Sequence, residues 1–188
     1  MRKTKLTTKT LAFDALLVAL YIVLGFIKIP IGNILRINPA LFAVMIGALV
    51  FGPVNGLLVG FLGEFLSQIL GPYGLTPTTL LWTLPEAMRG LLLGLACRAL
   101  FRNGLTPRTL MTSKKLPLYL GLCIVVGVLS SLLNTFALYV DSKLFGYYSY
   151  FMVFGVLATR LGLAVAVSGI LGYVSLIIVS ALQRNKIT

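Results

Sequence analysis

The chain has 188 residues, 59% of them hydrophobic and 11% charged, with a mean hydropathy of +1.01. Soluble domains carry about 25% charged residues, so a soluble fold is excluded and an all-α integral membrane protein is expected. The formal net charge of +12 does not mark a nucleic-acid partner, because the basic residues gather in short polar segments between apolar runs rather than on one folded face.

Arg2, Lys3, Lys5 and Lys9 precede a first apolar run, 11–28. It exceeds a secretory signal core and "FIKIPIGN" offers no small-x-small cleavage site, so a retained first helix is expected. Ala15 and Ala19 place a small-xxx-small pair on it, which lets another helix approach closely. The connection "KIPIGNILRIN", 28–38, contains the helix breakers Pro30 and Gly32, carries Arg36, and ends on Asn38, a candidate ligand contact.

Apolar runs at 40–51 and 54–70 are parted only by "FGPVNG", 51–56. Read as one helix, 40–70 would be about 45 Å long, well beyond a ~30 Å hydrocarbon core. Two helices joined by a hairpin are expected instead, the first of them short for a full crossing. Gly56, Gly60 and Gly63 prepare the second for close packing. The next connection, "GPYGLTP" at 71–77, is nearly uncharged, is stiffened by two prolines and carries Tyr73, another candidate contact.

Runs at 79–101, 116–140 and 150–182 complete the set. With six spans, the basic N-terminus shares one side with the 98–115 loop (Arg98, Arg102, Arg108, Lys114, Lys115) and the tail (Arg184, Lys186). With five spans it does not. The positive-inside rule therefore selects six helices in one domain, 1–188, with both termini and "FGPVNG" cytoplasmic.

Four charges fall at membrane depth: Glu64, Glu86, Arg89 and Arg160. Each costs about 2.5–3.5 kcal/mol or more at the centre of an isolated span, so all should face the bundle or a wet cavity. Glu86 and Arg89, three residues apart, can pair directly. Two readings stay open: a self-satisfied network between the third, fourth and sixth helices, or the wall of an outward-facing ligand cavity. Thr78, Thr79, Trp82 and Thr83 on the fourth helix, and Ser130, Ser131, Asn134 and Thr135 on the fifth, add polar groups at the same outer level. Such groups either glue helices together or converge on a ligand. The segment from Tyr139 through "DSKLFGYYSYF", with Tyr147 and Tyr148, reads equally as an interfacial belt or as a pocket wall.

Cys97 and Cys123 form neither a disulfide framework nor a metal motif, and the chain has no His. It also lacks a G-x-x-x-x-G-K-[ST] phosphate loop and a nucleophile–base pair. No catalysis, cofactor or metal site is expected, and no ATP site of its own.

The stretch "LRINPALFAVMIGALVFGPVNGLLVGFLGEFLSQ", 35–68, together with Ala15-x-x-x-Ala19 and the basic loop before the fifth helix, resembles the S components of energy-coupling factor (ECF) transporters. The resemblance spans essentially the whole chain. It implies a six-helix vitamin-binding subunit whose pocket lies near the outer ends of helices four to six. It also implies a coupling subunit packed on Ala15 and Ala19, two ATPase subunits, and delivery by toppling in the bilayer. Pocket contacts are then expected from Asn38, Tyr73, Thr79, Trp82, Glu86 and Arg89, and from Ser131, Asn134, Tyr139, Tyr147, Tyr148 and Arg160. "GPYGLTPTTLLWTLPEAMRGLLLG", 71–94, resembles the cobalamin-type members, and cobalamin is the expected substrate. Folate or another vitamin, and a stand-alone small transporter, are the alternatives.

Overall fold

The computed structural model describes residues 8–27, 29–31, 35–72, 74–101 and 106–184. Helix α1 (Thr8–Phe26) leads into a two-stranded antiparallel hairpin, β1 (Ile29–Ile31) and β2 (Leu35–Ile37), with Pro30 opposite Arg36. Helices α2 (Leu41–Val50) and α3 (Pro53–Ile69) follow, then α4 (Thr79–Leu100) and a short α5 (Pro107–Met111). The long helices α6 (Leu116–Leu144) and α7 (Leu157–Arg184) complete the bundle, with a π-helical turn (Phe151–Gly155) between them.

The expected break at "FGPVNG" is present. Gly52 adopts φ 98°, a conformation costly for any residue with a Cβ, and Pro53 starts α3 at the position where its missing N–H costs nothing. Asn55 is not part of the turn. It lies within α3, buried, and its amide donates to Asp14 on α1, which ties the first helix to the hairpin.

Among the described residues, four helical stretches are long and apolar enough to cross a membrane: Thr8–Phe26, Thr79–Leu100, Leu116–Leu144 and Phe151–Leu182. The 17-residue α3 is slightly shorter, and the 10-residue α2 reaches only about 15 Å. Apolar on every side, α2 is a core helix: eight of its residues are buried among α1, α3, α4 and α7.

Two elements were not anticipated. The first connection, expected only as a break, pairs Ile-Pro-Ile with Leu-Arg-Ile; in a two-stranded ribbon every strand is an edge, so Pro30 is tolerated. In the basic loop, Thr106 caps α5 reciprocally with Thr109, and Leu110 is fully buried, packing with the α7 end of the bundle.

The most extensive packing is between α3 and α4. Gly56 faces Gly90, Gly60 lies against the Glu86 carbonyl, and Gly94 lies against Pro53, so the two backbones touch with no room for a Cβ. One apolar core cluster, including Val44, Leu93, Cys97, Tyr119, Cys123 and Leu176, runs from α1 and α2 to Leu110 of α5. Within it the Tyr119 hydroxyl donates to the Gly172 carbonyl at 3.1 Å, and both cysteines are free thiols in the core.

Candidate ligand-binding site

A cavity of about 730 Å³ opens between the α3–α4 pair and the α6–α7 pair. That size falls within the roughly 300–1,000 Å³ of small-molecule sites. All four charges assigned to membrane depth line it, so its ionisable side chains sum to zero among the described residues.

The charges do not form one four-membered network. Glu64 accepts from the Tyr21 hydroxyl at 2.6 Å and from the Gln68 amide at 2.7 Å. Tyr21 is fully buried under Gly63, where a Cβ would strike its ring. On α4, Arg89 Nε lies 3.2 Å from Glu86 Oε2, with both side chains largely buried. Arg160, at the start of α7, donates to the Met152 carbonyl of the π-helical turn at 3.1 Å and has no acidic partner among the described residues. The separation follows from the helix positions: each acid has a nearer partner on its own or an adjacent helix. Gln68 was legible as an i+4 neighbour of Glu64. Tyr21 was not, because nothing in a sequence pairs α1 with α3.

Of the other expected contacts, Asn38, Trp82, Ser131 and Asn134 line the cavity together with Glu86, Arg89 and Arg160. The Asn38 side chain also accepts from Ala40 N at 3.0 Å, which fixes the chain entering α2. Pro85 lines the cavity one turn below Trp82 and, having no N–H, leaves the Leu81 carbonyl without its helical donor.

Four expected contacts sit elsewhere. Thr79 is buried in its own turn, its hydroxyl accepting from Thr76 N at 2.8 Å, so it closes the connection before α4. Tyr147 donates to Asp141, which also accepts from Thr78; this buried carboxylate clamps the start of α4 to the end of α6. Tyr139 and Tyr148 pack edge to face at 5.7 Å with Lys143 over the Tyr148 ring at 4.1 Å, forming an aromatic surface outside the cavity. The spacing of these tyrosines gave no direction. Tyr73 lies outside the described residues.

Sequence reasoning passed over Leu41, Met152, Leu163, Ala164, Val167 and Ser168, which also line the cavity. Most are ordinary apolar residues of a membrane helix, and only the neighbouring helices decide that they face a void. An indole, amides, hydroxyls and compensated charges surround the space.

Over residues 5–184 the chain matches the family model described as ECF-type riboflavin transporter, S component. A solved structure described as the S component of a bacterial ECF transporter is 23% identical, with 94% of each chain covered and a TM-score of 0.58. The S component for biotin from an ECF-type ABC transporter is 18% identical, with 96% of this chain and 95% of that one covered and a TM-score of 0.60. The UPF0397 protein of Streptococcus pneumoniae strain CGSP14 is 33% identical over 94 residues, 48% of this chain and 49% of that protein. The chain therefore spans about half the length of the curated relatives it matches.

Proposed function

The chain belongs to the family of ECF-type riboflavin transporter S components, and we propose that its cavity captures riboflavin or a closely similar flavin. As an S component it is a transporter subunit of the membrane, not an enzyme; such subunits bind a vitamin and associate with the components of an ECF module. The observation that carries the flavin reading is the cavity itself: about 730 Å³, charge-balanced, with Trp82 offering a stacking face beside amides and hydroxyls. A neutral tricyclic ring with a short polyol chain suits that space. Cobalamin, expected from the 71–94 stretch, is several times larger, and folate brings two carboxylates to a site whose four charges already sum to zero, with Arg89 paired to Glu86.

Calorimetry of the purified chain with riboflavin, biotin, folate and cobalamin tests this. Riboflavin should bind tightest. Tight cobalamin or folate binding without riboflavin binding would overturn the assignment.

Coupling belongs to α1 in this reading. Ala15 and Ala19 are both exposed on the bundle surface and leave a shallow stripe for a helix of the coupling subunit. Ala15→Trp with Ala19→Trp should abolish uptake while sparing vitamin binding; lost binding with intact assembly would reject it. Both termini are cytoplasmic, and toppling with the ATPase-bearing module delivers the vitamin. Because Asn55 is buried, the topology probes are cysteines at Val54 and Leu75, 56% and 67% exposed. They should be labelled from opposite sides, Val54→Cys from the cytoplasm.

A further inference from the structure

The cavity is not uniform along its length. Asn38, Gln68, Trp82 and Met152 lie at its loop end, close to the β-hairpin, the turn before α4 and the π-helical turn. The apolar walls Leu41 and Leu138 accompany them there. At the opposite end stand Arg89 on α4, Ser130 on α6 and Ser168 on α7, with Glu86 one turn above Arg89. Ser130 and Ser168 are 1% and 2% exposed. Here α6 and α7 converge: a Cβ on Gly127 would strike the Ser168 side chain. The floor is therefore narrow and polar, whereas the loop end carries Trp82, the one large flat side chain among the described lining residues.

The hydrogen-bond accounting differs between the two ends. Near the loops, Glu64 and Asn38 have protein donors. On the floor, Ser130 Oγ, Glu86 Oε2 and Arg89 Nε are buried without an aligned hydrogen-bond partner among the described residues. The Glu86–Arg89 approach at 3.2 Å is an ion pair whose geometry leaves these atoms' hydrogen-bond directions unfilled. Buried polar groups are nearly always satisfied, and each one left open costs about 1–3 kcal/mol. A carboxylate needs a donor and a guanidinium an acceptor. A hydroxyl supplies both from one atom, and a chain of hydroxyls can serve Glu86, Arg89 and Ser130 in succession.

Resting on the flavin reading above, we propose that the vitamin binds with its ring at the loop end against Trp82 and its hydroxylated side chain on the floor formed by Glu86, Arg89, Ser130 and Ser168. The floor is then the site's specificity filter for the polyol. A flavin without that chain leaves the floor unserved.

The test titrates the full chain in nanodiscs with riboflavin and with lumiflavin, which has the same ring and a methyl in place of the polyol. Wild type should bind riboflavin at least about tenfold more tightly than lumiflavin. Ser130→Ala removes an unpartnered hydroxyl, so folding should be retained, with an unchanged thermal midpoint as the check. It should weaken riboflavin about five- to tenfold and leave lumiflavin unchanged. Ser168→Ala is the second variant, with the same expectation. Equal wild-type affinities, or serine variants that weaken both flavins alike or neither, overturn the proposal while leaving flavin binding intact. If wild type binds neither flavin but does bind another vitamin, the flavin reading itself falls, and this orientation with it.

Discussion

Helices α3 and α4 meet backbone to backbone, whereas α6 and α7 meet mostly through side chains, and the cavity lies between the two pairs. In the first pair, Gly56, Gly60, Gly90 and Gly94 leave no space for a methyl group. In the second, Gly172 rests on the Cys123 side chain, Gly169 on Ile124, and Gly127 on the Ser168 side chain. The contrast separates two jobs. Backbone contact fixes Glu64 and Glu86 relative to each other, because neither helix can shift without collision. Side-chain contact lets the α6–α7 wall adjust by rotamer changes around a bound molecule.

The strongest way to break this contrast is to force a side chain into the tight seam. Gly90→Val should cost about 3 kcal/mol or more, or prevent folding, read as loss of monodisperse protein and of the thermal transition. If it folds normally, the seam is not the rigid half. Next in size are the cavity walls, one from each pair. Trp82→Ala and Asn134→Ala should each weaken vitamin binding by about five- to a hundredfold with little change in thermal midpoint. A loss of stability matching the loss of affinity would make them packing residues.

Tyr21→Phe sharpens the comparison from the side of the rigid half. It removes one of the two donors held against Glu64 and should destabilise the chain by about 1–3 kcal/mol, measured by thermal unfolding in detergent. An unchanged midpoint would show that Glu64 does not depend on α1. The smallest effect belongs to Gly162→Ala on the exposed side of α7, away from the seam. With open space around the new methyl, it should be neutral or stabilising by up to about 1 kcal/mol through helix propensity. Clear destabilisation there would place Gly162 in a tight contact like those of the α3–α4 seam.

The helices were legible in the sequence because the bilayer imposes a length and a polarity on every crossing segment, whatever its neighbours. The turn at Gly52–Pro53 was legible because its backbone chemistry is local. Convergence of Glu64, Glu86, Arg89 and Arg160 on one space followed from the cost of a charge facing lipid. Which groups partner those charges was decided by the tertiary structure: Tyr21 reaches Glu64 across 43 residues of chain, and Arg160 takes a backbone carbonyl instead of an acid. The tyrosines after α6 went to Asp141 and to an outer aromatic cluster rather than into the cavity, because spacing fixes a helical face but not the neighbour it meets. Ser168 carried no signal of its own. It became part of the cavity floor only where Gly127 brought α6 against α7, a contact between two helices that the sequence leaves free to rotate.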